Sequence, residues 1–360
     1  MTTDAATRMS TDAETRMSTD AVTRMIEATC PKEMLYGPCA GMRSATECEI
    51  PGVQCPFVTR DSLPTWSGAV PSQAVTASGG LAILKIMQHR PIIITDIPSV
   101  PLNADKILEI ADVIRGSADA YLIGDHGGAR LQFPPAYRAM LMKNAGLESW
   151  VGFNCRDRNR VALESEAVAL AHLGVAGVNC VTGDHTLSGH RADAKPVFDL
   201  DSTRLAALAR AAGLLVSVGE KPNAIPTHLR AERLAQKVKA GAHICMVNMP
   251  HSTELVADFK AQTQSAGADV PFVVGIPVMT SLEALHGAVG FYNLQLPLGL
   301  AARLENAKNI RLEGIKFAVE YGQAMLGIKG VRGLNLSGLA ATNQELEMAQ
   351  DFAEIGREFL

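Results

Sequence analysis

Asn154-Cys155-Arg156-Asp157-Arg158-Asn159-Arg160 and, one helix and one strand later, Thr182-Gly183-Asp184-His185 decide how this chain is read. The apolar stretch 150–153 before the first run is a buried strand, 161–173 has helical spacing, and 177–181 is a second buried strand. That is a βαβ unit. Right-handed crossover connections place the ends of both strands at one shared mouth, so Asn154 and Asp184 are expected to be near neighbours. Taken alone, the charged run 156–160 reads equally well as a solvated helix start.

The same alternation extends in both directions. Buried Val/Ile/Leu-rich strands are expected near 91–96, 119–124, 149–154, 176–181, 214–219, 243–248, 271–276 and 331–335. Helices separate them near 103–115, 134–145, 159–173, 202–212, 227–240, 253–266, 281–287 and 307–327, and an amphipathic helix at 342–358 closes the chain. Eight such alternations predict an α/β fold, a (β/α)8 TIM barrel over 89–360, with a connector at 61–88 and a small N-terminal cysteine-rich metal-binding segment at 28–60. Residues 1–27 carry an eight-residue repeat (Thr3 to Ser10, Thr11 to Ser18, Thr19 to Met25) and are expected to form a frayed tail.

Composition narrows the function classes. The net charge is −4, aromatics make up 5% and no basic block is interleaved with aromatics, which excludes nucleic acid as an expected partner. No apolar run approaches the roughly 18 residues of a membrane span, and the N-terminus has no signal-peptide core, so a cytoplasmic protein is expected. Seven cysteines without an export signal argue for thiols rather than a disulfide framework. Cys155, Cys180 and Cys245 lie at or inside strands and read as buried small hydrophobes. Cys30, Cys39, Cys48 and Cys55 lie around the turn formers Gly37-Pro38 and Pro51-Gly52, which can fold the chain so that the thiols converge. Spacing alone leaves open a metal site or four structural thiols.

The two opening runs resemble methylenetetrahydrofolate reductases, whose barrels carry a strand ending in Thr-Cys-Arg-Asp-Arg-Asn and a following Thr-Gly-Asp. The segments 189–202 and 237–242 are similar to that family as well, so the resemblance covers roughly 91–336. The run from Cys30 to Gly41, with Cys48-Glu49 and Cys55, resembles the small cysteine-rich domain that accompanies such reductases in acetogenic bacteria. There it is often a separate subunit. The resemblance implies zinc or an iron-sulfur cluster at the four cysteines.

It also implies an enzyme: an oxidoreductase interconverting methylene- and methyl-tetrahydrofolate by hydride transfer, with NADH or NADPH as reductant and FAD as intermediate carrier. Asp96 occupies the place of the family's acidic glutamate, one methylene shorter, and Asp184 that of the carboxylate between cofactor and pterin. Asn248 stands for a pterin-binding glutamine, again one methylene shorter. Phe291 and Tyr292 lie where aromatic stacking on pterin or nicotinamide is expected, although core packing explains them equally. For the cofactor the candidates are Asn154, Thr182, Gly183 and His185, the turn glycines Gly127 and Gly128, and Arg230, Arg233 and Lys237. Lys237 matches a lysine near the flavin phosphates. Arg230 and Arg233 replace an acid and an amide; arginines can bind pyrophosphate but cannot accept hydrogen bonds from ribityl hydroxyls. Direct hydride transfer from nicotinamide to folate is therefore a variant to consider. A folate-dependent methyltransferase or demethylase component using the cysteine module is the alternative function. A homo-oligomer and a redox partner subunit are further expectations.

Overall fold

The computed structural model describes residues 29–69, 73–98, 100–124, 131–189, 191–292, 294–338, 340 and 343–360, without the side chains of 290–292. Gly127, Gly128 and the repetitive tail lie outside the described residues. A helix, α1 (Ser78–His89), precedes eight strands: β1 (Ile92–Asp96), β2 (Ala120–Ile123), β3 (Ser149–Asn154), β4 (Gly177–Val181), β5 (Val216–Glu220), β6 (Ile244–Val247), β7 (Phe272–Pro277) and β8 (Val331–Ser337). They pair in parallel in chain order and close into a barrel, with Ile92 of β1 opposite Gly333 of β8.

The intervening helices are α2 (Ala104–Ile114), α3 (Pro135–Asn144), α4 (Arg160–Leu173), α5 (Ser202–Ala211), α6 (Arg230–Lys239) and α7 (Thr253–Ser265). The β7–β8 connection holds three, α8 (Leu282–Tyr292), α9 (Leu300–Glu305) and α10 (Ile310–Leu326), and α11 (Glu345–Arg357) follows β8. Side-chain caps set the starts of many: Asn103, Asn159, Asp201, Ser252 and Asn309 each accept a backbone N–H of the first turn. The expected strands and the barrel are present. The β7–β8 segment differs, because α8 runs further than its apolar spacing suggests and α9 is an added turn.

Ile92, Ile94, Trp150, Ile244, Met246 and Val273 fill the barrel interior, and Val75 and Ile83 from the connector and α1 close its lower end. Trp150 donates to Ser217 Oγ at 3.0 Å across the interior. Gly177 makes room for that indole, since a Cβ there would stand 2.8 Å from the ring. At the same end the backbone of Thr76 and Ala77 bonds to Gly213 O and that of Gly79 to Gly174 O. Among the described residues no helix is long and apolar enough to cross a membrane.

Residues 29–69 have little regular structure beyond a bridge between Glu47 and Gln54. Their small core of Met34, Phe57 and Leu63 is completed by Leu229 of the barrel. The segment is fastened by backbone donors. Leu35 and Tyr36 donate to Asp201 Oδ2 (3.0 and 3.3 Å), Leu63 to Glu232 Oε1 (3.0 Å) and Trp66 to Gln236 Oε1 (2.7 Å). Asp201 uses its other oxygen to cap α5 through Thr203 and Arg204.

One carboxylate thus joins cap and clasp. Asp201→Ala is expected to cost about 2 kcal/mol or more, above the ~1 kcal/mol typical of a lost cap, because two further buried donors are stranded. Chemical denaturation measures this, and limited proteolysis should show earlier cleavage within 30–66. A loss no larger than a cap alone would contradict the clasp.

Candidate functional site

The carboxyl ends of the parallel strands open onto one mouth and bring the polar termini together. β1 ends in Asp96, β3 in Asn154 and β5 in Glu220; β4 runs into Thr182-Gly183-Asp184, β6 into Asn248, and β8 ends with Asn335, Leu336 and Ser337. In parallel barrels this end carries the chemistry.

Asp96 is partly buried and accepts hydrogen bonds from Asn335 Nδ2 at 3.0 Å and from Ser337 Oγ. Burial raises its carboxyl from near 3.8 to about 6, against the pull of those two donors. The group can therefore hold a proton close to neutrality, as a general acid must. Sequence reasoning missed Asn335 and Ser337. Both alternate with apolar residues in a strand, and polar residues at that spacing near a strand end were the available signal.

The Asn154 and Thr-Gly-Asp pairing is as expected from the βαβ geometry. A Cβ on Gly183, whose φ is +91°, would stand 3.3 Å from both Asn154 Cβ and Arg156 Cβ, so glycine allows the loop to lie against the end of β3. Asn154 Oδ1 accepts from Arg156 N, and Thr182 Oγ1 from Ser202 N, so both side chains shape loops. Arg156 is fully buried and paired with Asp157, whereas Asn159 caps α4. Asp184 is exposed at the mouth. Asn248 is exposed too, with its backbone N–H donating to Glu220 O at 2.8 Å. Phe291 and Tyr292 end α8, on the β7–β8 connection.

The cysteine-rich segment enters this mouth. Lys32 Nζ lies 2.7 Å from Glu49 Oε2, both side chains nearly buried, and Glu49 Oε1 accepts the backbone N–H of His185 at 2.8 Å. Burial works against the Lys32 charge, but Cys39, Glu49 and Asp184 outweigh it and hold the ammonium above its ordinary range. His185 Nδ1 accepts from Leu187 N, and its ring lies 5.9 Å from that of Phe198. No local pattern announces Lys32 or Glu49, because Glu49 meets His185 across 136 residues and Lys32 enters only as the partner of Glu49.

The cations expected to face a cofactor are inside the protein. Arg230, Arg233 and Lys237 are 0%, 6% and 1% exposed. Arg230 donates to the carbonyls of Ala224, Ile225, Pro38 and Cys39 at 2.6–3.0 Å. Arg233 Nη1 and Lys237 Nζ both reach Glu220 Oε1, at 2.6 and 2.8 Å, and Lys237 also donates to Gly219 O. Burial alone would raise the Glu220 carboxyl, but Arg233, Lys237 and Arg230 hold it below the usual range. Its Oε2 has no hydrogen-bond partner among the described residues.

The four N-terminal cysteines are free thiols that influence one another electrostatically: Cys55 with Cys39, Cys30 and Cys48, and Cys39 with Cys30 and Cys48. Burial pushes Cys30 and Cys55 up to about 11. Among the described residues no group of three or more His, Cys, Asp or Glu side chains is arranged to hold a metal ion, so the expected coordination set is not closed. Cys155, Cys180 and Cys245 are fully buried in the barrel core.

Residues 124–352 match the family model described as methylenetetrahydrofolate reductase. A curated relative, methylenetetrahydrofolate reductase (NADH) 1 of Arabidopsis thaliana, is 26% identical over 138 residues, 34% of this chain and 23% of that protein. The chain therefore matches about a quarter of that relative's length. Among solved structures, an uncharacterized protein from Clostridium thermocellum that binds two copies of 5-methyl-5,6,7,8-tetrahydrofolic acid superposes with a TM-score of 0.56 at 15% identity, covering 78% of this chain and 99% of that one. That likeness is one of fold.

The raised carboxyl gives a stability signature. With its folded value above its ordinary one, Asp96 binds more protons in the folded chain between about pH 4 and 6, so its contribution is full below that window and falls as pH rises through it. The wild type should lose up to about 3 kcal/mol relative to Asp96→Asn across the window, two pKa units at 1.36 kcal/mol each. Denaturation midpoints at several pH values measure the difference, and a pH-independent difference would refute it.

Proposed function

The chain belongs to the methylenetetrahydrofolate reductase family, and on that premise we propose that it interconverts methylene-tetrahydrofolate and methyl-tetrahydrofolate with a reduced nicotinamide dinucleotide as reductant. The observation that carries this reading is the Asp96 carboxyl, gripped by Asn335 and Ser337 at the barrel mouth, where burial raises it to about 6. In the bridged folate one carbon is bonded to two nitrogens. A proton from Asp96 to one nitrogen breaks that C–N bond, the electron pair staying with the nitrogen, and leaves an iminium carbon that accepts a hydride. A methyl group results, and the donor is oxidised by two electrons.

Asp184, exposed at the same mouth, is the carboxylate that stabilises the developing cation, since charge at a preorganised group costs no reorganisation during reaction. Asn248 offers an amide donor and acceptor to the pterin edge, and Phe291 and Tyr292 offer stacking surfaces. The barrel's task is to hold the hydride donor about 3–3.5 Å from the carbon. FAD, a carrier in the family, does not fit Arg230, Arg233 and Lys237 at the positions where the resemblance places its contacts, since all three are buried and bonded to protein.

We also propose that Cys30, Cys39, Cys48 and Cys55 hold zinc or an iron-sulfur cluster with a structural role. Four thiols on one short segment are a donor set that either group accepts once they lose their protons, and Cys30, Cys39 and Cys55 pack against one small core. Such a centre would pin Lys32 and Glu49 at the mouth.

Purified full-length protein given NADH and methylene-tetrahydrofolate under anaerobic conditions is expected to form methyl-tetrahydrofolate. Asp96→Asn should lower kcat about 10²- to 10⁴-fold, the range of general acid catalysis. Normal turnover by that variant would remove Asp96 from the mechanism. Metal analysis should find one centre per chain, with Cys39→Ser losing both metal and thermal stability; a metal-free wild type would refute the site.

A further inference from the structure

The face of α6 that turns towards the mouth is occupied by the chain's own N-terminal segment. Pro38 and Cys39 place their carbonyl oxygens 3.0 and 2.9 Å from the Arg230 guanidinium, which the Ala224 and Ile225 carbonyls contact from the other side. Gly37 lies against the stem of Arg233, where even a Cβ would come within 2.9 Å of Cγ and Cδ. Leu63 and Trp66 take the carboxylate of Glu232 and the amide of Gln236 on the same helix. Lys237 is consumed by Glu220 and the Gly219 carbonyl. A pyrophosphate needs donors that point outward, and a ribityl chain needs exposed acceptors.

From this occupancy we propose that α6 is the seat of residues 30–66 and not of a dinucleotide flavin, so that hydride passes directly from the nicotinamide to the folate carbon. This rests on the reductase reading above. In the direct step the C4–H bond of the dihydronicotinamide breaks, a C–H bond forms at the iminium carbon, and the ring leaves as the oxidised pyridinium. No other redox carrier is needed. Direct transfer also predicts a ternary complex, with both reactants at the mouth together.

Two readouts on the full-length protein test this. FAD titrated into it, followed by flavin fluorescence, should show no saturable binding, and acid extraction of the purified protein should release no flavin. With NADH deuterated at C4, tested on each face in turn, one face should deliver its deuterium to the product methyl group without dilution by solvent. A flavin carrier would behave differently, because its reduced N5 hydrogen exchanges with water.

Stoichiometric FAD binding that Arg230→Gln weakens, or solvent deuterium entering the methyl group when unlabelled NADH reacts in D2O, would overturn the proposal. Absence of any methyl product with either label would sink the reductase reading instead. The FAD titration would still decide who occupies α6.

Discussion

A single buried carboxylate organises the side of the barrel where the chain does something its neighbours in sequence do not predict. Glu220, at the end of β5, is 2% exposed and meets Arg233 and Lys237 on one oxygen. Removing one partner of a buried ion pair usually costs 3–5 kcal/mol, since the other charge is left without water or counterion. Two cations on one carboxylate leave a positive excess, and Arg230 adds to it. Main-chain carbonyls supply the compensating negative ends of dipoles, and two of them come from residues 38 and 39. The cysteine-rich segment is therefore part of the electrostatic balance of the barrel, not an appendage tied to its surface.

Most strands were legible as largely apolar runs of the kind a buried parallel sheet requires, β8, where Arg332, Asn335 and Ser337 alternate with apolar residues, being the clearest departure. Asp96 and Asp184 were legible for the opposite reason, as charged residues directly after such runs. The arginines of α6 were legible as a departure from a familiar pattern, but their surroundings were not. A helix with Arg230, Glu232, Arg233 and Lys237 looks like a solvated face, and only the docking of distant chain makes it an interior one. Leu35 reaches Asp201 across 166 residues, and His185 reaches Glu49 across 136. Local patterns carry no trace of such contacts. The length of α8 escaped for a smaller reason, since Gly290 interrupts its helical signal before Tyr292 ends it.

At the mouth the two halves of the site are held in different ways. Asp96 is fixed from the strand beside it, by side chains of β8, and shares the rigidity of the sheet. The Thr-Gly-Asp loop is fixed from outside the barrel, through the Glu49 carboxylate on the His185 N–H. Asp96 is thus set by the barrel, and Asp184 by whatever keeps the cysteine segment folded. Strain or oxidation of the thiols would reach Asp184 through that loop before it reached Asp96.

The order of synthesis gives this clasp a temporal meaning. Residues 30–66 leave the ribosome well before the groups that receive them, Asp201, Arg230, Glu232 and Gln236, which follow more than 130 residues later. At ordinary elongation rates of roughly 5–20 residues per second, the segment waits many seconds with its four thiols and its Met34, Phe57 and Leu63 core open to solvent or to a chaperone. Its docking is a late event in biogenesis, and a nascent chain interrupted before α6 leaves residues 30–66 without their seat.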